Sequence, residues 1–139
     1  MNAEIAVKGI IYNKKLNRIL LIQRSNDDPT GANTWESAGG CIENGEKPED
    51  AIRREIREET GITELTVKNV AYVTLLNSCR PILIIAYTCE SQTETVILSS
   101  EHQAFIWADK EDCKALLPKA ILDDFEKNKV FDLFRDDID

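Results

Sequence analysis

The fold is decided by the stretch from Gly39 to Ile62, which reads GGCIENGEKPEDAIRREIREETGI. It predicts a loop that leads into a helix. Pro48 suits the first helical position, because its missing N–H would have no partner there. Gly61 suits the residue just past the last turn, where a left-handed backbone is needed. The stretch therefore predicts a helix bounded by Pro48 and Gly61.

Charges of opposite sign separate around an apolar ridge of this helix. At about 100° per residue, Ile52 and Ile56 form the ridge. Three glutamates lie on one flank and three arginines on the other: Glu55, Glu58 and Glu59 against Arg53, Arg54 and Arg57. The four-residue spacing of Glu55 and Glu59 costs roughly a few tenths of a kcal/mol in repulsion. A divalent cation such as Mg²⁺ or Mn²⁺ resolves this conflict, since carboxylates, carbonyls and water form its preferred oxygen site. The alternative is a solvated surface helix with charge stripes.

The spacing of the stretch resembles the Nudix box, G-x5-E-x7-R-E-U-x-E-E-x-G-U, in which U is a bulky aliphatic residue. Every defined position is matched, by Gly40, Glu46, Arg54, Glu55, Ile56, Glu58, Glu59, Gly61 and Ile62. The resemblance implies an α/β (α+β) fold, a Nudix-like α/β/α sandwich with a central mixed β-sheet. We expect residues 1–139 to form a single Nudix hydrolase domain.

The resemblance also implies a metal-dependent hydrolase that cleaves a pyrophosphate linkage in a nucleoside diphosphate derivative. The expected cofactor is Mg²⁺, with Mn²⁺ as a substitute. The implied metal ligands are the three box glutamates, a glycine carbonyl and one acid outside the box: Glu55, Glu58, Glu59, Gly40 (or Gly39) and Glu101. Arg54 would orient the glutamates, and it joins Glu55, Glu58 and Glu101 in the predicted catalytic set. Glu46 and Gly61 would be structural residues of the box.

A second resemblance lies in Ser100–Trp107, SEHQAFIW, which is similar to a tract of diadenosine polyphosphate hydrolases and small nucleoside triphosphate pyrophosphohydrolases. Glu101 stands where several Nudix enzymes carry a carboxylate that binds metal or deprotonates water; the alternative is an ordinary loop acid. His102 is the only histidine of the chain, and histidine suits general base catalysis by its pKa. The general base stays open between Glu101, His102 and a box glutamate.

The predicted substrate contacts are Arg24, Gly39 and Trp35. Arg24 follows the apolar run LLIQ, and its guanidinium fork matches phosphate oxygens, whereas the alternative is a solvated strand end. Trp35 is one of five aromatic residues that either stack a base or fill the core: Tyr12, Trp35, Tyr72, Tyr87 and Phe105. Ala38 replaces the proline that commonly precedes the two glycines, so the box does not fix a subfamily.

Outside the box, β-branched and apolar runs predict strands and amphipathic runs predict helices. The predicted strands are Glu4–Tyr12, Ile19–Gln23, Trp35–Ala38, Leu65–Leu76, Pro81–Cys89, Glu94–Leu98 and Ala104–Trp107. The predicted helices are Asp109–Leu117 and Lys119–Asn128, and Ser25–Asn33 and Ser99–Gln103 are predicted loops. Ile82–Tyr87 is almost continuously apolar, which predicts a central strand covered on both faces. The acidic end, Asp132–Asp139, is expected to fray unless Phe131 and Phe134 dock it.

Composition limits the partners. The chain has 139 residues and a net charge of −8, which argues against nucleic-acid polymers and anionic membranes and favours a small nucleotide substrate. Met1–Lys8 lacks the features of a signal peptide and no run is long enough to span a bilayer, so we expect a cytoplasmic protein. The four cysteines form no C-x-x-C pair and are expected to be reduced, mostly core thiols. The sequence is compatible with a homodimer but does not predict one.

Five functional hypotheses follow from the sequence. The leading one is a nucleoside triphosphate pyrophosphohydrolase that releases nucleoside monophosphate and pyrophosphate. The alternatives within the same chemistry are a dinucleoside polyphosphate hydrolase and an ADP-ribose or nucleotide-sugar hydrolase. A different class is a non-catalytic nucleotide-sensing Nudix module. A prenyl diphosphate isomerase is the weakest, because the cysteine pattern expected of that branch is missing.

Overall fold

The centre of the fold is a mixed β-sheet. A computed structural model describes residues 2–77 and 79–136 of the chain, and predictions that involve Met1, Ser78 or residues 137–139 lie outside this range. In the described residues the sheet has seven strands: β1 (Glu4–Asn13), β2 (Arg18–Arg24), β3 (Trp35–Glu36), β4 (Ala38–Cys41), β5 (Thr66–Leu76), β6 (Ile82–Glu90) and β7 (His102–Ala108). The helices are α1 (Pro48–Thr60), α2 (Lys110–Leu116) and α3 (Lys119–Lys127), followed by a 3₁₀ turn at Val130–Leu133.

The sheet is organised around β1. This strand runs parallel to β6 and antiparallel to β2 and β4. Strand β5 pairs with the other side of β6, while β3 and β7 pair with β2, all antiparallel. A parallel pair requires a long crossover connection, and the chain between β1 and β6 includes α1. The predicted mixed sheet is therefore confirmed.

Two hydrophobic clusters cover the two faces of the sheet. Successive strand residues point to opposite faces, so neighbours in β1 enter different clusters. Ile11 packs with Ile52 and Ile56 of α1 in the first cluster. Ile10 packs with Phe125 of α3 in the second cluster, which also contains buried residues of α2. The predicted α/β/α layering is confirmed.

Helix α1 begins and ends where the sequence predicts. Pro48 is its first residue, and Gly61 follows the last turn with a left-handed backbone (φ 74°) and donates its N–H to the Arg57 carbonyl at 2.9 Å. The helix packs closely on β1, because a Cβ added to Gly9 would lie 2.7 Å from Ile56 Cδ1. This close contact fixes the height of the box glutamates above the sheet.

Three local predictions are corrected. Gly39 and Gly40 lie inside β4, paired with Lys8 and Val7 of β1, and the loop before α1 begins only after Cys41. Glu94–Leu98 is irregular, because the Ile97 N–H bonds to the carbonyl of Thr60 at the end of α1 (2.9 Å) instead of to a strand. Strand β7 begins at His102, two residues earlier than predicted.

Other predictions are confirmed in part. β6 is flanked by β1 and β5, but Ile82–Ile85 are only half-buried, so the strand is not covered along its full length. Cys89 and Cys113 are buried, and burial raises the pKa of each thiol to about 12, whereas Cys41 and Cys79 are exposed. None of the helices in residues 2–77 and 79–136 is long and apolar enough to cross a membrane.

The C-terminal segment docks through its aromatic residues as far as the structure describes it. Phe131 meets Phe125 edge-on at 6.0 Å between ring centroids, and Phe134 meets Tyr12 at 6.2 Å. The predicted docking is therefore confirmed. Of the acidic residues after Arg135, only Asp136 falls within the described range.

Candidate active site

Arg54 holds the outer part of the box together. Its guanidinium forks onto Glu46, with Nε donating to Oε2 at 2.8 Å and Nη2 to Oε1 at 3.0 Å. Its Nη1 donates to Glu55 Oε1 at 2.9 Å and to Glu58 Oε2 at 3.2 Å. Sequence periodicity placed Arg54 on the flank opposite the box glutamates. That assignment is wrong, because Arg54 lies four residues before Glu58, one turn earlier on the same side of the helix. The predicted pairing of Arg54 with Glu58 is present.

The Arg54 contacts fix the charge states of the pair. The hydrogen bonds that Arg54 donates to Glu46 raise the pKa of Arg54, and the same bonds lower the pKa of Glu46 to about 2. Glu46 also accepts the Glu43 N–H at 3.0 Å, so it ties the loop before α1 to the helix. Arg54 additionally donates to the Cys41 carbonyl at 3.2 Å. Loop, strand and helix are therefore clamped around one permanently charged side chain.

The two box glycines let β4 approach the carboxylates. A Cβ added to Gly40 would lie 2.8 Å from the carboxylate atoms of Glu55. A Cβ added to Gly39 would lie 2.0 Å from the Val7 carbonyl oxygen, so no side chain fits there. The Gly39 N–H donates to Glu59 Oε1 at 2.8 Å. The backbone of β4 thus borders the acidic flank of α1 directly.

Glu59 is a buried acid, with only 6% of its surface exposed. Burial raises its pKa to about 7, and the neighbouring Glu55 charge adds to the rise. The Gly39 N–H, His102 and Lys8 act in the opposite direction without offsetting burial. A carboxylate in such surroundings ionises readily only when a positive charge binds beside it.

Glu101 and His102 approach Glu59 from the start of β7. One ligand atom from each of the three residues lies within 4.8 Å of the other two. His102 Nε2 lies 2.9 Å from Glu36 Oε2, and Lys8 Nζ donates to Glu36 Oε1 at 3.2 Å. His102 Nδ1 is buried and has no hydrogen-bond partner among the described residues. Two oxygens and one nitrogen therefore converge at this position.

Lys8 and Glu36 are site residues that the sequence reasoning missed. Burial of Glu36 acts to raise its pKa, but the His102 hydrogen bond and the Lys8 charge outweigh it, so the pKa of Glu36 is lowered. The available signal was an isolated lysine within the apolar run of β1, where a charge needs a partner. Glu36 gave no such signal, because an acid at the end of a short predicted strand is ordinary.

Glu101 is positioned by the loop that follows β2. The Ser25 N–H donates to the Glu101 carbonyl at 3.0 Å, and the Ser25 hydroxyl donates to the Ser100 carbonyl at 3.0 Å. Gln103 extends the connection, since its side chain accepts the Asn26 N–H at 2.9 Å and donates to Asn33 Oδ1 at 2.8 Å. The two loops predicted at Ser25–Asn33 and Ser99–Gln103 thus form one hydrogen-bonded unit beside the site.

The other predicted substrate contacts lie near this unit or in the core. Arg24 forms a forked ion pair with Asp28, at 3.0 to 3.2 Å, and its charge also helps to lower the pKa of Glu36. Trp35 packs against the second hydrophobic cluster. Of the five aromatic residues considered for base stacking, Phe105 is 42% exposed, while Tyr12, Tyr72 and Tyr87 are in the two clusters. The substrate roles of Arg24 and Trp35 stay predictions.

Comparison with known proteins defines the class. The profile of the NUDIX domain matches residues 3–131. The chain therefore belongs to the Nudix family. It is 30% identical over 104 residues to the nucleoside triphosphatase NudI of Escherichia coli O139:H28. The matched region covers 67% of this chain and 74% of that protein.

Solved structures agree with this assignment. The MutT protein from Methanosarcina mazei Go1 superimposes with a TM-score of 0.83 at 28% identity, covering 94% of this chain and 95% of that one. A C. elegans Ap4A hydrolase in a binary complex shares the fold, with a TM-score of 0.79 at 24% identity over 93% and 97% of the two chains. The chain is thus a Nudix hydrolase, an enzyme that acts on pyrophosphate bonds.

The residues of the site fit the divalent cation that Nudix enzymes generally use. Glu59 is a buried acid with a raised pKa, and it shares one position with Glu101 and a ring nitrogen of His102, whose Nδ1 has no hydrogen-bond partner among the described residues. Glu55 lies against Gly40 on the other side. Each of these features is costly in a bare protein and is relieved by a positive ion.

Proposed function

We propose that this Nudix hydrolase is a nucleoside triphosphate pyrophosphohydrolase that uses Mg²⁺ and releases nucleoside monophosphate and pyrophosphate. The observation that carries the proposal is the convergence of buried Glu59 with Glu101 beside the intact box. The 30% sequence identity with a nucleoside triphosphatase supports the choice of substrate class.

Each acidic residue receives a role in this proposal. The cation would be held by Glu55, Glu58, Glu59 and Glu101 with the Gly40 carbonyl, and Mn²⁺ could take the place of Mg²⁺. When bound, it neutralises charge on the phosphate oxygens and favours ionisation of the attacking water. Arg54 keeps Glu55 and Glu58 in place through its bonds of 2.9 and 3.2 Å.

Glu101 is the general base in our proposal. It is exposed, so it can exchange protons with solvent, whereas Glu59 and His102 are both buried. Water adds to a phosphorus of the anhydride, its proton passes to the Glu101 carboxylate, and the P–O bond to the leaving phosphate breaks. Arg24 contacts phosphate oxygens, and Gly39 and Trp35 border the bound nucleotide.

A dinucleoside polyphosphate is the second candidate substrate. The tract Ser100–Trp107 resembles that of diadenosine polyphosphate hydrolases, and the described loop unit around Glu101 and Gln103 is built from it. ADP-ribose and nucleotide sugars contain the same linkage and are the remaining candidates. A nucleotide-sensing module without turnover is the alternative of another class.

We further propose that residues 1–139 fold as a single domain that works in the cytoplasm without a nucleic-acid or membrane partner. Support comes from β1, which contributes Ile10 and Ile11 to the clusters on both faces of one sheet. The net charge of −8 disfavours association with polyanions.

A hydrolysis screen tests the proposal. Wild-type protein with Mg²⁺ is incubated with nucleoside triphosphates, dinucleoside polyphosphates, ADP-ribose and nucleotide sugars, and products are separated by anion-exchange chromatography. Glu58→Gln keeps the shape but removes a predicted ligand, so we expect turnover to fall by at least about 100-fold. Glu126→Gln, an exposed change on α3, serves as the control and should retain full activity.

The outcomes separate the hypotheses. Release of pyrophosphate and nucleoside monophosphate from triphosphates supports the proposed activity, and preferential cleavage of another group reassigns the substrate. Tight Mg²⁺-dependent nucleotide binding with no products supports the sensing module. A folded Glu58→Gln protein that retains the wild-type rate contradicts the assignment of the metal site.

A further inference from the structure

We propose that His102 is a ligand of the divalent cation, binding through Nδ1 together with the carboxylates of Glu59 and Glu101. The inference rests on the proposed function only in placing a cation at this site. It adds a nitrogen donor to a site that the sequence predicted to be entirely oxygen. It also changes the ion that this position prefers.

The first argument is the distance between the donor atoms. Ligands about 2.1 Å from one ion lie at most roughly 4.2 Å from each other. The donor atoms of Glu59, Glu101 and His102 all lie within 4.8 Å of one another. Glu101 is exposed, so its side chain has room to turn toward the other two donors. The three donors therefore need little rearrangement to share one ion.

The second argument is the unpartnered nitrogen. The His102 side chain is only 3% exposed, and Nδ1 has no hydrogen-bond partner among the described residues. Buried polar atoms in native proteins nearly always have a partner. A cation held by Glu59 and Glu101 would be that partner. Because the ring is already buried, binding the cation would require no further desolvation of it.

The third argument is the support behind the ring. Metal-binding histidines usually donate the other ring N–H to a carboxylate, which fixes the tautomer. Glu36 lies 2.9 Å from His102 Nε2 and is itself held by Lys8 at 3.2 Å. This arrangement places the proton on Nε2 and leaves the lone pair on Nδ1.

Backbone geometry explains why a histidine at the start of β7 reaches the site. The register between β2 and β7 shifts between Gln23 and Arg24, so that His102 pairs with Arg24 while Ala104 pairs with Gln23. A bulge of this kind redirects side chains locally. The His102 N–H also bonds to the Ser99 carbonyl at 3.3 Å, which fixes the turn before the strand.

A nitrogen ligand has a predictable consequence for metal choice. Imidazole suits first-row transition ions, whereas Mg²⁺ prefers oxygen ligands. The position formed by Glu59, Glu101 and His102 should therefore bind Mn²⁺ more tightly than Mg²⁺, even if Mg²⁺ supports turnover.

Pulsed electron paramagnetic resonance of bound Mn²⁺ tests the ligand directly. His102 is the only histidine of the chain, so an imidazole nitrogen coupled to Mn²⁺ in tag-free protein can come from no other residue of it. We expect strong imidazole nitrogen modulation in the wild type and none in His102→Gln. Incorporation of ¹⁵N-histidine should shift the modulation to the frequencies of that isotope.

Binding measurements without nucleotide complete the test. His102→Gln should weaken Mn²⁺ binding by about tenfold or more and Mg²⁺ binding by less, while Glu126→Gln should bind both ions as the wild type does. Mn²⁺ that binds to wild-type protein without imidazole modulation overturns the proposal, and this result needs no variant to fold. These measurements contain no substrate, so they are independent of the hydrolysis screen. The ligand role of His102 can be wrong in an active hydrolase, and it can be right in a protein that hydrolyses no nucleotide.

Discussion

Replacing Glu59 with glutamine is expected to stabilise the metal-free protein at pH 8. Glu59 is 6% exposed, and burial is the main cause that raises its pKa from 4.5 to about 7. At about 1.4 kcal/mol per pKa unit, the ionised form is disfavoured in the folded state by up to about 3 kcal/mol. Glutamine carries no charge and still offers an oxygen to the Gly39 N–H, which Glu59 accepts at 2.8 Å.

The sign of the pH dependence follows from proton binding. Below pH 4.5 the acid is protonated in both folded and unfolded chains, so it contributes no difference. Between pH 4.5 and about 7 the unfolded chain releases its proton while folded Glu59 retains it. The free energy of unfolding therefore falls as pH rises through this window, and the full loss is present above pH 7. Glutamine does not ionise, so the Glu59→Gln variant does not lose this part of the free energy of unfolding.

Urea unfolding in the presence of a chelator measures the effect. Wild type and Glu59→Gln should differ little near pH 4.5 and increasingly toward pH 8, where the variant should be more stable by up to about 3 kcal/mol. Glu126→Gln on α3 should follow the wild type at both values. Adding Mg²⁺ or Mn²⁺ should stabilise the wild type more than Glu59→Gln. Equal stability of wild type and Glu59→Gln at pH 8 would refute the burial argument.

Two further substitutions probe the approach of β4 and the Arg54 contacts. Gly40→Ala places a methyl group 2.8 Å from the Glu55 carboxylate, which must move, so kcat should fall by about tenfold or more while urea stability changes little. Arg54→Lys cannot fork onto Glu46 and still reach Glu55, so kcat and the free energy of unfolding should both fall, the latter by about 1 kcal/mol. Wild-type kinetics in the first variant, or wild-type kinetics and stability in the second, would contradict these roles.

The box helix could be predicted because its geometry is local. Pro48 and the three glutamates lie on one continuous helix that ends before Gly61, and spacing alone sets which side chains on it are neighbours. The contact of Arg54 with Glu58 follows from their spacing of four residues, whereas its contact with Glu46 depends on the path of the loop before α1.

Contacts between distant segments were beyond the same reasoning. Glu36 and His102 meet only because β3 and β7 both pair with β2, and the register shift at Arg24 is not written in any local pattern. Gly39 and Gly40 have no side chains to show the alternation of a strand, although they pair along β1. Glu94–Leu98 has strand-like composition, yet its Ile97 N–H is used by the Thr60 carbonyl.

The parallel pairing of β1 with β6 has a consequence for folding kinetics. It joins Glu4–Tyr12 to Ile82–Glu90 across more than half of the chain, and β1 also carries Lys8 and the partners of Gly39 and Gly40. Pairings of such high sequence separation form slowly, because loop closure costs entropy before contacts reward it. Catalytic competence during refolding should therefore arise with the last, longest-range closure of the sheet, after α1 has acquired its local helical structure.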